Sequence, residues 1–248
     1  MGAAPTRPLD PAHHFSFDSR RLRPSRRSAR PGPVVKVKVA PWGRSLSGRG
    51  LAGSLFAAPA HERLDAAHAL HAEGLAVHVD LIVRQDGTHR GVTPAQVRAV
   101  RSELPHASID LHLIVEGDPR DSHTHAAIEE AIHMGLDLGV ERISLSRELL
   151  DCYHSALQDA RQRGLAVWCE LPHDAPADPV AGADGLLIML IRPGTTEAAD
   201  PAGLTTVRAL AGRVPVGVDG GVTETLAREC ADLGASPIIS GRALLTTS

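Results

Sequence analysis

Aromatic side chains are nearly absent from this sequence: Phe, Trp and Tyr make up 2% of its 248 residues. The core must therefore be aliphatic, built from Leu, Val, Ile and Ala. That favours layered α/β packing over aromatic cages or base-stacking surfaces. Lysine is almost missing too. Only Lys36 and Lys38 occur, and from residue 51 onward there is none. Schiff-base aldolase and pyridoxal chemistry would have no lysine to use there, and a Walker-type phosphate loop would lack its lysine. The three cysteines, Cys152, Cys169 and Cys230, are isolated, with no CxxC pair. Such an odd, scattered set reads as free thiols in a reducing, cytoplasmic compartment. No apolar run approaches the roughly 20 residues of a membrane span, so no membrane partner is expected.

Charge is divided along the chain. Residues 1–50 carry 11 Lys or Arg against Asp10 and Asp18, a net +9, whereas the remainder carries 15 Arg against 27 acids, a net −12. Residues 1–50 read as an N-terminal extension, largely disordered, and residues 51–248 as the folded domain. Within the extension, Val34–Ala40 alternates like a half-exposed strand, and 43–53 resembles a Gly/Ser/Arg linker. The Arg pairs at 20–21 and 26–27 lack the apolar stretch that an export signal needs. An acidic, aromatic-poor body also argues against nucleic acid as a partner.

From residue 51 a short apolar run alternates with an amphipathic stretch, again and again. Strands are expected at Leu51–Phe56, Leu75–Val83, Ser108–Val115, Val140–Leu145, Leu165–Glu170, Gly185–Ile191, Val214–Asp219 and Pro237–Ser240. Helices are expected at 59–73, 93–103, 121–134, 147–163, 200–211 and 222–233, and the gap near 172–183 is short and Pro-rich. Strands joined through helical crossovers pair in parallel. Eight of them in about 190 residues imply a closed (β/α)8 TIM barrel, with an open doubly wound sheet as the alternative. The sequence runs out just after the eighth strand, so the last helix is expected to be missing or truncated. The segment around Val34–Trp42, or a partner subunit, would then cover the gap.

Active sites of such barrels gather at the carboxyl ends of the strands. Strand two reads Val77-His78-Val79-Asp80-Leu81, and alternation puts His78 and Asp80 on one face. Strand three reads Ile109-Asp110-Leu111-His112-Leu113, so Asp110 and His112 share a face as well. Asp110 reads as a structural partner rather than a reacting group. Strand seven ends in Asp219, followed at once by Gly220-Gly221, which leave backbone room for a ligand. His78, Asp80, His112 and Asp219 thus converge on one mouth. Imidazole and carboxylate suit a divalent cation such as Zn, Fe or Mn, with positions left open for substrate oxygens.

These residues carry a resemblance. Gly53-Ser54-Leu55-Phe56-Ala57-Ala58, His78-Val79-Asp80, Asp110-Leu111-His112-Leu113-Ile114-Val115, Met189 with Pro193-Gly194, Val218-Asp219-Gly220-Gly221 and Ser240-Gly241 follow, in order and spacing, motifs of the ribulose-phosphate 3-epimerase family. The chain resembles that family from about residue 51 to 245. The resemblance implies an isomerase that epimerises C3 of a ketopentose phosphate through an enediolate. His78, Asp80, His112 and Asp219 would hold the metal, and Asp80 and Asp219 would act as the two acid/base groups. Ser54 and Met189 would contact the reacting part of the substrate. Phosphate would sit near Gly220, Gly221 and Gly241, with Arg192 or Arg242 as a charged replacement for lost backbone contacts. It also implies self-association, so a homo-oligomer is expected.

The chain departs from the family pattern in four places. Ile82-Val83-Arg84 follows strand two where the family has Met-Asp-Gly. Thr195-Thr196-Glu197 replaces a glycine-rich clamp after strand six. Arg242 replaces a serine after the last strand, and Ala57 a serine in the first. The metal set and bases are intact, while the phosphate end and the lid differ. A catalytically silent relative that binds a sugar phosphate or a partner protein is the alternative reading.

Overall fold

The computed structural model describes residues 37–193, 195 and 197–247, and these form one compact unit. The disorder expected over 1–33 lies outside the described residues. Strand β1 (Val37–Val39) and helix α1 (Pro41–Ser45) come first, then β2 (Leu51–Ser54), a 3-10 turn over Leu55–Ala57 and α2 (Arg63–Ala72). Next are β3 (Ala76–Val83), β4 (His89–Gly91), α3 (Pro94–Glu103), β5 (Ile109–Val115), α4 (Ser122–Asp137) and β6 (Arg142–Leu145). They are followed by α5 (Arg147–Cys152), α6 (His154–Gln162), β7 (Ala166–Pro172), β8 (Gly185–Met189) and α7 (Gly203–Leu210). The described chain finishes with β9 (Val216–Asp219), α8 (Glu224–Asp232), β10 (Ile238–Ser240) and β11 (Leu245–Thr247).

β2, β3, β5, β6, β7, β8, β9 and β10 pair in parallel in that order, and β10 returns to β2, so the sheet closes into an eight-stranded barrel. All eight expected strands are present within a few residues of their expected limits. Side-chain oxygens at the helix starts accept backbone N–H groups that the helices leave unpaired: Thr93 for α3, Asp121 for α4, Ser146 for α5 and Thr223 for α8. The crossover from β7 to β8 holds no helix, as its prolines imply. The helix expected over 147–163 is two, α5 and α6, broken at Tyr153. That side chain is tied down by hydrogen bonds to Pro119 O (2.9 Å) and His125 Nδ1 (2.7 Å), so its backbone leaves the helix. β4 matches no expected element. It is a polar hairpin strand turned by Asp86-Gly87 onto the end of β3, where Leu81, Ile82 and Val83 face Gly91, Arg90 and His89.

Alternation along the strands separates two cores. Leu51, Val77, Val79, Ile109, Leu111, Val167, Leu186 and Ile188 point outward and pack under the helices. Inside the barrel lies a smaller apolar cluster of Ala52, Trp168, Leu187, Met189 and Ile239. The indole of Trp168 reaches across because residue 185 is glycine: a Cβ there would meet Trp168 Cε2 at 2.4 Å. The rest of the interior is polar. His78, Asp80, Asp110, His112 and Ser144, from β3, β5 and β6, are all buried.

The linker expected over 43–53 is instead the end of α1, a turn and β2. The first segment takes the place of a helix after β10. β1 pairs antiparallel with β11, and Ala40 N–H donates to Leu244 O (2.7 Å). Val37 and Leu46 are buried, and Gly43 packs on Leu244 and Leu75. Arg44 bonds Glu73 just past α2 (2.6 Å), while Arg49 pairs with Asp232 (2.8 Å) and Ser45 with Arg228 (3.1 Å) on α8. The segment therefore lies between α2 and α8, across the seam where β10 meets β2. The exposed ion pairs contribute little; the buried apolar contacts hold it there.

Two measurements check this packing. Leu46→Ala should lower the unfolding free energy by roughly 2–5 kcal/mol in urea titration; a change within about 0.5 kcal/mol would mean the segment merely rests on the surface. Burial pushes the Cys169 thiol up to about 11 and that of Cys230 to about 12, whereas Cys152 is exposed. An aromatic disulfide reagent at pH 8 should therefore titrate one thiol per native chain and three after denaturation.

Candidate metal centre

The strand positions that point inward near the barrel mouth are Ser54 on β2, His78 and Asp80 on β3, His112 on β5, Glu170 on β7, Met189 on β8 and Asp219 on β9. Parallel register sets Asp80 beside His112 and Met189 beside Asp219. The small barrel diameter then brings β9 within reach of β3 and β5 across the lumen. His78 Nε2 lies 3.3 Å from Asp80 Oδ1 and 3.7 Å from Asp219 Oδ2. His112 Nδ1 lies 3.4 Å from Asp80 Oδ1 and 3.5 Å from Asp219 Oδ2. One donor atom from each of the four residues falls within 4.8 Å of the other three, a spacing able to hold a metal ion. The four residues singled out by sequence are brought together.

Both imidazoles are fully buried and tilted 52° to each other, with centroids 5.8 Å apart. Each is held from behind by a carboxylate. Asp110 Oδ2 takes His78 Nδ1 at 3.1 Å, and Glu170 Oε2 takes His112 Nε2 at 2.5 Å. Arg142 approaches Asp110 Oδ2 (3.8 Å) and stacks over the Trp168 ring (4.9 Å to its centroid), so the polar half of the lumen is braced against the apolar half. Asp110 is a partner of His78, in keeping with its structural reading. Glu170 was missed. Its parity with Trp168 places it inside, but Glu-Leu-Pro reads as a strand ending.

The electrostatics explain how ionisable groups survive in the lumen. Burial drives the His78 pKa down, yet Asp80 and Asp110 outweigh it and raise it to about 10. His112 is likewise raised well above its ordinary value, against burial, by Asp219, Asp80 and Glu170. Burial pushes Asp80 up, but His78 and His112 hold it far below the usual carboxylate range. The rings and the carboxylates thus favour one another's charged forms. The geometry also fits a cation. His112 Nδ1 is buried and, despite its two carboxylate neighbours, makes no aligned hydrogen bond, so its lone pair is free for a ligand bond.

A cavity of about 770 Å³ opens onto Asp80 and Asp219 and is lined also by Ser54, Met189, Gly220, Gly221, Gly241 and Arg242. Apart from Arg192, every residue expected at the site therefore lines this cavity or belongs to the group that could hold a metal ion. Ser54 donates to Asp80 Oδ2 at 2.7 Å, fixing one carboxylate oxygen while the other faces the imidazoles. Gly220 (φ 106°) and Gly221 (φ 64°) turn the chain at the far end, where a Cβ would strike Ile191 and Ala199. Glu197 lines the same end, and its carboxylate is bridged by Arg192, which lowers its pKa.

The ribulose-phosphate 3-epimerase family model matches residues 50–245, from the eve of β2 to the start of β11. The ribulose-phosphate 3-epimerase of Schizosaccharomyces pombe is 27% identical over 178 residues, covering 68% of this chain and 74% of that protein. Among solved structures, the tryptophan synthase complex from Pyrococcus furiosus superposes with a TM-score of 0.56 at 14% identity, over 79% of this chain and 88% of that one. Phosphoribosyl anthranilate isomerase from Thermus thermophilus does so with a TM-score of 0.55 at 20% identity, over 78% and 88%. At those identities the structures speak for the barrel alone. Among the described residues no helix is long and apolar enough to cross a membrane. The match over nearly the whole barrel carries the conclusion: the chain belongs to the ribulose-phosphate 3-epimerase family and is an epimerase of the isomerase class.

Proposed function

We propose that the protein is a metal-dependent 3-epimerase of a ketose phosphate, ribulose 5-phosphate or a close relative, working by two-base proton transfer. The observation that carries this reading is the meeting of Asp80 and Asp219 from strands on opposite sides of the lumen, at the floor of one cavity. Inverting a carbon through a planar enediolate needs a proton taken on one face and returned on the other. A carboxylate from each side meets that need. Ser54 holds one Asp80 oxygen, so that base can move a proton without swinging. Met189 puts an apolar wall against the intermediate and keeps water from the carbanion face.

His78, Asp80, His112 and Asp219 would hold a divalent ion, Zn, Fe or Mn. Bound there, the ion would supply positive charge for the enediolate oxygens and make the C3 proton acidic. The donor set is borderline in softness, which suits those three metals. At the far end, the turn Gly220-Gly221, the start of α8 and Gly241 offer backbone N–H groups to a phosphate. Arg242 adds a guanidinium. Arg192 occupies the Glu197 carboxylate and so reduces its repulsion of the anion.

Two experiments test the reading. The first offers a panel of ketose phosphates with added Zn2+, Fe2+ or Mn2+, and again after a chelator. C3 hydrogen should exchange with deuterated water only in the metal-loaded samples. No exchange on any member of the panel would leave a silent barrel. The second uses Asp80→Asn and Asp219→Asn. Each should slow epimerisation by about 10²-fold or more. Each should also keep C3 exchange with one epimer only, the epimer reversing between the two variants. Equal loss on both epimers in both variants would contradict the division of labour.

A further inference from the structure

His78 and His112 present different nitrogens to the centre of the cluster, Nε2 from the first and Nδ1 from the second. A neutral imidazole has one N–H and one lone pair, so the two rings must be held in opposite tautomers for both to bind one ion. Nothing in the cluster itself selects them. The selection must come from the outer nitrogens. There His78 meets Asp110, while His112 meets Glu170, a residue on a different strand from the four cluster residues.

We propose that Glu170 is a positioning residue of the metal centre, taking the Nε2 proton of His112 and so committing that ring to offer an unprotonated Nδ1. The inference rests on the metal-dependent reading above. Glu170 points into the lumen one step above Trp168 on β7 and faces Leu187 of β8 in register. Its side chain is 16% exposed, so it is not a solvated surface acid. Among the described residues its carboxylate hydrogen-bonds only His112, at 2.5 Å. Drawing a carboxylate out of water beside apolar Leu187 and Trp168 is costly. An apolar side chain would fill the place without that cost. What the carboxylate alone provides is an acceptor for the outer proton and negative charge that makes Nδ1 a better donor.

Two variants separate this role from simple packing. Glu170→Met keeps the volume and removes the acceptor, whereas Glu170→Gln keeps an acceptor oxygen and removes the charge. Co2+ is titrated into the metal-free full-length parent and both variants, followed by visible absorption and by competition with a chelator. The Met variant should bind Co2+ about 10–100-fold more weakly, with the Gln variant between it and the parent. The unfolding midpoint of chelated protein should not fall in step with that loss. A parent that binds Co2+ and a Met variant that binds it equally well would overturn the role of Glu170 alone. A parent that binds no Co2+ would overturn the metal-dependent reading as well. A measurement without substitutions stands beside these. Long-range 1H–15N spectra of the Zn2+-loaded parent should show His112 protonated at Nε2 and His78 at Nδ1. His112 protonated at Nδ1 would end the proposal.

Discussion

The meeting of two buried imidazoles with two inner carboxylates, each ring also backed by an outer carboxylate, is the constraint around which the barrel is arranged. Charged groups leave water only when their neighbours replace it, and here they do so by facing one another. Asp80, Asp110, Asp219 and Glu170 bring carboxylates into the lumen, and the rings of His78 and His112 and the guanidinium of Arg142 face them. Arg142 is itself held against Trp168. The apolar cluster around Trp168 and Met189 fills the remaining space. The lumen is thus divided lengthwise, one side greasy and one side ionic, with the cavity floor at the boundary. That division suits a reaction in which a carbanion must be sheltered on one side while its oxygens meet charge on the other.

Much of this was legible in the chain because strand geometry converts spacing into direction. His78-Val79-Asp80 and Asp110-Leu111-His112 each place two polar groups on one face, and their apolar neighbours fix that face as the inside. The barrel itself followed from the regular return of apolar runs. Where the reading fell short, the cause was local. The split at Tyr153 depends on Pro119 and His125, which are distant in sequence. β4 is built from His, Arg and Gly, and α1 from Pro-Trp-Gly-Arg-Ser, compositions without a periodic signal. Glu170 sits where a strand runs into a proline. Its parity with Trp168 was available, but nothing in the sequence says that His112 from β5 would stand opposite.

The departures from the family pattern all lie outside the group His78, Asp80, His112 and Asp219. Ile82-Val83-Arg84 extends β3 beyond the barrel rim into a hairpin. Glu197 arrives together with Arg192 as a bridged pair rather than as a bare anion. The floor, meanwhile, keeps the residues the family motif calls for. On the proposed function, reaction chemistry and ligand selection would thus occupy separate layers, free to change independently.

The strap formed by β1 and α1 crosses the seam between β2 and β10. Those two strands end in Ser54 and in Ser240, just before Gly241, so the seam runs into the rim of the cavity. Residues 37–39 and 245–247 are some 200 positions apart, and the antiparallel ladder they form is only three residues long. Such a clasp ties the two ends of the described chain together across the seam, and slack in it would reach the Ser54 hydroxyl that bonds Asp80. A segment far away in sequence thereby takes part in keeping the proposed base still.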